Sequence, residues 1–378
     1  MNYENISLLN PDFDSKLINM ILDLEHLRKR ELAWSTHPAI FFQLKSIFHT
    51  LESIWSARIE WNRTTLAEFI ETKISPETTV NEDIKEIQNM EEALEYIDKN
   101  IDNFTISSKF IRELHYFVTK DLSPEKEWSK NPWEYRKWNV SITKSKHVPC
   151  DFTQVWDYMD ELFNFINNDD DKKYDLIKTA LAHHRFVWIH PFDNGNWRTV
   201  RLFTYAMLVK LWFNINVWRI INPTAVFCND RNEYYDNLSL ADTWTDEWLT
   251  KWCEYVLEWL KNEIEKIDKL LDYSYLSKNI LIPTIELALN RKFITDKEYE
   301  ILKIAIRHQV LESKYLEKIF IWKLPQERSR VIKRLRDNKM IQSEREGSRK
   351  YIINFSNNYL LRSFIEILWK EGFLPNND

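Results

Sequence analysis

Glycine is scarce in this chain: only 3 of its 378 residues are glycine, whereas average usage near 7% would give about 26. Tryptophan is abundant instead, with 17 residues. Several tryptophans stand where turn chemistry favours glycine, in the segments 131–134, 136–139 and 211–214. A bulky indole has no general reason to lie where a positive φ or a close backbone approach is needed. Tryptophan at these positions therefore calls for an explanation.

Cysteines and long apolar runs are also few. Cys150, Cys228 and Cys253 are scattered and form neither a disulfide framework nor a metal-binding spacing. We expect buried, reduced thiols, and no nucleophilic cysteine because nothing marks a paired base. No apolar stretch approaches the 18 residues of a membrane span, and residues 1–5 are polar, so no signal peptide is predicted. These features, with 44% hydrophobic and 29% charged residues, predict a cytoplasmic globular protein of two or three domains.

The twelve residues 190–201 carry the clearest chemical signal. A histidine, His190, precedes a turn-forming stretch that contains Gly195 and Asn196. Apolar residues then follow at helical spacing, so the stretch reads as a loop that opens a helix. The backbone N–H groups of a first helical turn form an anion site, and Arg198 and Arg201 are three residues apart on that helix. A neutral imidazole at the loop entrance can accept a proton from an attacking hydroxyl. The pattern predicts phosphoryl-type chemistry on a nucleotide.

This segment resembles the signature of the Fic family, His-x-Phe-x-Asp/Glu-Gly-Asn-Gly-Arg-x-x-Arg. The resemblance implies a mainly α fold, with a helical core and a small β-hairpin flap, that transfers AMP from ATP to a Ser, Thr or Tyr hydroxyl of a protein. It implies that His190 is the general base. The nucleotide-binding residues that it implies are Gly195, Asn196, Trp197, Arg198, Thr199, Val200, Arg201, Tyr234 and Tyr235.

Two positions of this signature depart from the family pattern. Asn194 stands where the family mostly has the acid that holds magnesium, and a neutral amide is a weaker ligand for a hard cation. Dependence on Mg²⁺ therefore stays open, with Asn194 as the doubtful metal ligand. Trp197 stands where the family has glycine, and so does Trp61, at the end of the segment 56–61.

Resemblance to the family extends to other segments, over roughly residues 30 to 275. Residues 56–61 resemble its inhibitory motif, and the four-residue spacing places Ser56 and Glu60 on one helix face. The resemblance implies that Glu60 pairs with Arg201 in the space that the ATP γ-phosphate needs. Residues 135–142 resemble the flap that docks a target segment by β-augmentation, and residues 222–224 and 229–235 resemble the part that walls the adenine pocket.

The C-terminal part has a different charge balance. Residues 291–356 contain 17 Lys and Arg against 9 Asp and Glu, a net charge of +8, while the rest of the chain carries −14. Predicted helices at 296–309, 314–321 and 325–338, followed by short strands at 340–343 and 350–353, are typical of a winged helix-turn-helix. The basic residues expected on its recognition helix and wing are Arg328, Arg330, Lys333, Arg334, Arg336, Arg345, Arg349 and Lys350. Duplex DNA and a docked protein are both candidate partners.

The chain is predicted to fall into four parts: an N-terminal helical region with the inhibitory motif (1–100), the catalytic core (101–275), a connecting helix (276–290), and the winged helix with a C-terminal helix at 359–370 (291–378). Further helices are predicted at 38–54, Asp175–Ile189, 249–271 and 278–292. His183 and His184 lie among apolar residues and are interpreted as structural. The chain itself is among the candidate targets, and a homodimer is among the candidate assemblies. The alternative function is a DNA-binding regulator whose core only binds nucleotide or is inactive because of Trp197.

The tryptophans at family glycine positions suggest a decoding hypothesis. Some bacterial lineages read UGA as glycine, and translating such a gene with a table that reads UGA as tryptophan would place Trp at Gly codons. The Ile-, Lys- and Asn-rich composition suits an AT-rich genome. A genuinely Trp-rich or engineered protein is the alternative. Trp156, Trp188, Trp252 and Trp369 lie in apolar helical patterns and are expected to be authentic tryptophans.

Sequencing the gene tests this hypothesis directly. We expect UGA codons for Trp61, Trp133, Trp138 and Trp197, because turn geometry or a close backbone approach favours glycine at these positions. UGG at all four positions would contradict the hypothesis. The codons of Trp188 and Trp252 are the internal control, and we expect UGG there.

Overall fold

The structure, a computed structural model, describes residues 5–29, 35–59, 62–74, 81–123, 131–142, 147–211, 231–317, 319, 325–356 and 358–374. Its helices are α1 (Lys16–Lys29), α2 (Pro38–Ile59), α3 (Leu66–Ile74), α4 (Glu82–Asn100), α5 (Ser108–Thr119), α6 (Val155–Asn167), α7 (Asp175–Ile189), α8 (Asn196–Leu211), α9 (Arg231–Ala241), α10 (Asp246–Leu271), α11 (Ile282–Asn290), α12 (Asp296–His308), α13 (Pro325–Asp337) and α14 (Leu360–Lys370). Two short strands are β1 (Ile341–Ser343) and β2 (Tyr351–Ile353). In the described ranges, no helix is both long and apolar enough to cross a membrane.

Two compact units make up the chain, and they do not follow the sequence order of the four predicted parts, which stay a prediction. The first unit comprises Met1–Arg30, His49–Thr64 and Val80–Ile264. The second comprises Glu31–Phe48, Thr65–Thr79 and Glu265–Asp378. Helix α2 therefore contributes its N-terminal half to the second unit and its C-terminal half, which carries Ser56, to the first.

Helix α7 is the centre of the first unit. Every residue from Leu176 to Ile189 is buried, as expected for a helix surrounded by other elements. It packs against α6 and α8, and α8 also contacts α4 and α5. The Trp252 indole N–H donates to the Ala180 carbonyl at 2.7 Å, which satisfies the one polar group of a fully buried ring. The loop after α7 is thus held between two buried helices.

The predicted helices of this unit are largely confirmed. Helix α7 has the predicted bounds, the helix predicted at 38–54 continues to Ile59, and the helix predicted at 249–271 begins three residues earlier, at Asp246. The flap predicted as a β-hairpin is described only in part, because residues 143–146 lie outside the described residues. Its described residues, 135–142, are in no strand. Side-chain hydrogen bonds hold this segment instead, chiefly those of Arg136 and of Asn139, whose amide donates to Asp151 at 3.0 Å.

Helix α12 opens the C-terminal part of the second unit with a capping box between Thr295 and Glu298. A short 3₁₀ turn at Ser313–Leu316 follows where a helix is predicted at 314–321, and residues 318 and 320–324 of the segment before α13 lie outside the described residues. Helix α13 ends one residue short of its predicted end. The connecting helix predicted at 278–292 is a π-helical turn, Leu276–Leu281, continued by α11.

The two predicted strands pair antiparallel, with Ile341 opposite Ile353. Leu311 forms an additional antiparallel bridge to Tyr351. The side chain of Gln43, on the N-terminal half of α2, donates to the Ile353 carbonyl and accepts from the Phe355 N–H, both at 3.0 Å. The described elements of this part are therefore α12, a 3₁₀ turn, α13 and a paired strand ribbon, and the winged helix itself stays a prediction.

Backbone conformation separates some of the tryptophans from others. All three glycines, Gly195, Gly347 and Gly372, have φ between 71° and 76°. Trp133 has φ 91° and Trp244 has φ 59°, in the region that L residues other than Asn and Asp rarely adopt. The sequence singles out Trp133 as a glycine-like position but not Trp244. Trp252 and Trp188, expected to be authentic, are buried in helices.

Candidate active site

His190 ends helix α7 in a left-handed conformation, with φ 51° and ψ 62°. Its backbone N–H still bonds to the Phe186 carbonyl at 3.0 Å, so the ring is carried on the helix end. Burial lowers the pKa of the imidazole to about 3, helped by the positive charge of Arg136 and by the neighbouring His147, while the Val187 carbonyl acts in the opposite direction. Nδ1 has no hydrogen-bond partner among the described residues. The imidazole is neutral at pH 7 and can accept a proton.

The loop after His190 is closed by Asn196, the first residue of α8. Its side-chain amide donates to the Phe192 carbonyl at 2.8 Å and accepts from the Phe192 N–H at 2.9 Å. Gly195 has φ 71°, and a Cβ there would lie 3.2 Å from the Val118 side chain, so only glycine fits without a shift. The Thr199 hydroxyl donates to the Gly195 carbonyl at 2.8 Å. The loop that the sequence predicts is therefore shaped by its own side chains.

His115, on α5, supports the loop and was missed by sequence reasoning. Its ring stacks on Phe192 with centroids 3.8 Å apart, and its Nε2 lies 3.1 Å from the Asn194 carbonyl oxygen. Burial lowers the pKa of His115 to about 3, so the ring is neutral and Nε2–H donates to that carbonyl. No local pattern could have linked two residues 79 positions apart.

The two predicted phosphate-binding arginines are both buried, each 1% exposed. Nη1 of Arg198 lies 3.0 Å from the Glu86 carboxylate on α4. Glu86 also accepts from the Asn62 amide at 2.7 Å. Because both side chains of the ion pair are enclosed, Glu86 occupies one side of the guanidinium that the sequence assigns to phosphate. Sequence reasoning missed this carboxylate.

Arg201 is held by α2 in the same unit. Its Nε donates to the Ser56 hydroxyl and its Nη2 to the Ser56 carbonyl, both at 2.8 Å. Glu52, one helical turn before Ser56, is buried, and burial raises the pKa of its carboxyl well above the usual range, against the pull of the Arg201 charge. Ser56, a residue of the predicted inhibitory motif, therefore lies against Arg201, whereas the predicted pairing of Glu60 with Arg201 stays a prediction. Glu60 and Trp61 lie outside the described residues.

Trp197 lies among the rings of the predicted nucleotide pocket. Its indole centroid is 6.3 Å from His190, 5.9 Å from Tyr234 and 5.2 Å from Tyr235. The Tyr234 hydroxyl lies 2.7 Å from Nε2 of His183, whose Nδ1 lies 2.7 Å from the Thr204 hydroxyl. The structure thus brings the predicted base, Trp197 and the predicted adenine-side tyrosines together, with the indole between them. Residues 222–224 and 229–230 of the predicted pocket lie outside the described residues.

The remaining predicted residues have simpler surroundings. Val200 is fully buried in the first turns of α8. His184 is buried and its Nε2 lies 3.1 Å from Asp242, which supports its structural interpretation. Burial raises the pKa values of the thiols of Cys150 and Cys253, which disfavours the nucleophilic thiolate, and Cys228 lies outside the described residues.

Asn194, the doubtful metal ligand, does not fit the role of a magnesium-binding acid. The Asn194 side-chain oxygen accepts the Gly195 N–H at 2.8 Å, and an amide carries no charge to offset a hard cation. Within the described ranges, no group of three or more His, Cys, Asp or Glu side chains is placed to hold a metal.

The chain is similar to known proteins over part of its length. Residues 105–208 match the model of the Fic/DOC family. The chain is 28% identical over 192 residues to the protein adenylyltransferase Fic of Drosophila grimshawi, which covers 50% of this chain and 37% of the relative. It is 29% identical over 196 residues to the protein of the same name from Nematostella vectensis, covering 50% and 42%. The chain thus spans less than half the length of these curated relatives.

Solved structures share the fold. A crystal structure of a Fic family protein from Desulfovibrio desulfuricans superposes with a TM-score of 0.57 at 19% identity, over 93% of this chain and 98% of that one. A Fic domain containing signaling protein from Bacteroides thetaiotaomicron gives a TM-score of 0.54 at 19% identity, over 68% and 97%. The similarity to the first extends well beyond residues 105–208.

Glu86→Ala should destabilise the protein by about 3 kcal/mol, because it leaves the buried Arg198 charge without its carboxylate. Glu95→Ala is the matched control on the same helix. Glu95 forms an exposed pair with Lys99, and such pairs contribute less than about 1 kcal/mol. Urea denaturation of the two variants and the parent measures the difference. Equal midpoints for both variants would contradict the buried ion pair.

Proposed function

Because residues 105–208 match the model of the Fic/DOC family, we propose that this chain transfers AMP from ATP to a Ser, Thr or Tyr hydroxyl of a protein. The observation that carries the proposal is the neutral, buried His190 at the entrance of the loop that opens α8. The curated relatives with matching sequence are protein adenylyltransferases, which supports the same reaction class.

His190 acts as the general base in the proposed reaction. The target hydroxyl attacks the α-phosphorus of ATP while His190 accepts its proton. The new oxygen–phosphorus bond forms as the bond from the α-phosphorus to the bridging oxygen breaks, and pyrophosphate leaves. The N-terminal turn of α8, at Asn196 to Arg198, offers backbone N–H groups and a helix dipole to the phosphates. No step is assigned to a metal ion, since the side chain at 194 is an amide.

Glu60 is proposed as a brake on this reaction. Ser56 already holds Arg201 through two hydrogen bonds, and Glu60 follows it by one helical turn in sequence. A carboxylate there would join Arg201 and compete with the γ-phosphate. Removing the Glu60 carboxylate should therefore leave Arg201 available to bind the nucleotide.

Trp197 weighs against activity in the chain as written. Its indole lies within ring-contact distance of His190, Tyr234 and Tyr235, in the volume where a nucleotide would lie. Glycine at this position would remove the side chain and allow the backbone to approach phosphate. The activity is therefore expected in the Trp197→Gly chain.

DNA binding by residues 291–356 is a second candidate function. Two of the basic residues already form ion pairs within this part of the chain. Arg334 donates to both oxygens of Glu298, at 2.7 and 2.6 Å, and Lys350 pairs with Glu312 at 2.9 Å. Both of these side chains are still exposed, and the other exposed basic side chains on α13 and the turn after β1 are Arg330, Lys333, Arg336, Arg345 and Arg349. An exposed basic helix next to a basic strand turn favours binding to phosphates.

The AMP-transfer proposal is tested in the Trp197→Gly chain with α-³²P-labelled ATP. We expect His190→Ala to abolish transfer but to keep nucleotide binding, because the imidazole takes a proton and does not hold phosphate. More than a few per cent of transfer in His190→Ala would contradict the base assignment.

Glu60→Gly should raise self-modification several-fold in the same assay. Equal transfer with and without Glu60 would contradict the brake.

The DNA proposal is tested by fluorescence anisotropy with a duplex of about 20 base pairs. The triple variant Arg330→Ala, Lys333→Ala, Arg349→Ala should bind more weakly. The slope of its log affinity against log salt concentration should be shallower by roughly 0.9 for each phosphate that it no longer neutralises. The control removes three exposed lysines of the first unit, Lys99, Lys137 and Lys251. Equal effects of the two triple variants, or no binding by the parent at low salt, would assign this surface to a protein partner.

A further inference from the structure

Arg136 is a buried arginine whose hydrogen bonds converge on the carbonyl groups around His190. It lies in the segment between α5 and α6 and is 3% exposed. Its Nε donates to the His190 carbonyl at 2.9 Å, and its Nη2 donates to the Ile189 carbonyl at 3.3 Å. Its own backbone N–H donates to the Pro191 carbonyl at 2.9 Å. One residue therefore binds three successive carbonyl groups of the catalytic loop.

These carbonyls lie at the end of α7, where the last helical turn leaves acceptors without intrahelical donors. The planar guanidinium, with five donors in a fixed fork, can satisfy several of them together. Its positive charge also lies at the negative end of the helix dipole. His190 is held here with φ 51° although it is not glycine, and such a conformation persists only when its surroundings impose it. Arg136 supplies that constraint.

The same guanidinium also binds the segment on either side of residues 143–146. Nη1 donates to the Trp138 carbonyl at 3.1 Å, and Nη2 donates to the Cys150 carbonyl. Residues 135–142 are the part that resembles the target-docking flap. One side chain therefore binds both this segment and the backbone around His190.

The charge of Arg136 also acts on the imidazole of His190. After burial, the Arg136 charge is the largest influence that lowers the pKa of His190, followed by His147. The carboxylates of Asp151 and Asp193 face Arg136 itself and act on its pKa in the opposite direction to burial. With these neighbours, the cation disfavours a second positive charge on the imidazole.

We propose that Arg136 is the positioning residue of this site: it holds the His190 backbone in its left-handed conformation and ties the docking segment to it. This inference rests on the proposed AMP transfer for its kinetic consequence. The effect on the imidazole itself does not depend on that reaction. Arg136 contacts no reacting atom and acts only through His190 and the loop.

Two variants in the Trp197→Gly chain separate geometry from charge. Arg136→Gln removes both the fork and the charge, and Arg136→Lys keeps the charge but cannot reach the same set of carbonyls. We expect Arg136→Gln to lower kcat by about 100-fold, the scale of a small misplacement of a catalytic group. The KM for ATP should change less than about threefold, because the nucleotide cradle on α8 is left intact. Arg136→Lys should also lose kcat.

The second readout is the titration of the His190 ring, followed by NMR of histidine-labelled protein against a His190→Ala reference spectrum. The pKa of His190 should rise in Arg136→Gln and stay near the parent value in Arg136→Lys. Arg112→Gln is the matched control, since this arginine donates to the Trp133 carbonyl at 3.4 Å in the same segment. It should leave both kcat and the titration unchanged.

Three results would overturn the proposal: parent-like kcat in both Arg136 variants, an unchanged His190 titration in Arg136→Gln, or equal effects of Arg112→Gln. If the Trp197→Gly parent transfers no AMP, the proposed function fails while the NMR titration still decides the role of Arg136. If Arg136→Gln does not fold, Arg136→Lys carries the test, and a folded lysine variant with parent-like kcat contradicts the proposal.

Discussion

Two buried guanidinium groups on the first turns of α8 determine how the first unit is assembled. A buried charge is destabilising unless it is paired and hydrogen-bonded. Arg198 receives the Glu86 carboxylate from α4, and Arg201 receives the hydroxyl and carbonyl of Ser56 from α2. The N-terminal helices are therefore fixed to the loop end of α8 by polar interactions as well as by apolar packing. In the proposed reaction, the same partners compete with an incoming phosphate for these arginines.

The loop between α7 and α8 is held for a different reason, because its own side chains and two neighbouring residues bind its polar groups. Asn196 closes it onto Phe192, His115 holds the Asn194 carbonyl, and Arg136 holds the carbonyls around His190. Both imidazoles are buried and neutral, so neither needs a carboxylate partner. A base whose backbone and charge state are both set before substrate arrives needs little reorganisation during proton transfer.

Local patterns predicted the local structure well. The bounds of α7 and the paired strands at 341–343 and 351–353 follow from apolar periodicity and turn residues, which depend on neighbours in sequence. Glu86, His115 and Arg136 could not be found in this way, because their partners are distant in sequence and periodicity does not say which helices meet. The division of α2 between two units escaped prediction for the same reason, since its N-terminal half belongs to the second unit and its C-terminal half to the first. The flap hairpin was inferred from resemblance and stays a prediction, since only residues 135–142 of it are described; these are held by side-chain hydrogen bonds.

The scarcity of glycine affects both the backbone conformation and the proposed active site. The chain's three glycines all adopt positive φ, so each is used where its freedom is needed. Trp133, at φ 91°, lies further into that region than any of them, although an indole meets steric strain there that glycine does not. Trp197 raises a separate difficulty, since the helix tolerates its backbone while its ring lies among His190, Tyr234 and Tyr235. Tryptophan in place of glycine would explain both the strain at 133 and the crowding at 197. Core packing explains neither Trp133 nor Trp197, because neither indole is buried enough to be required by the core.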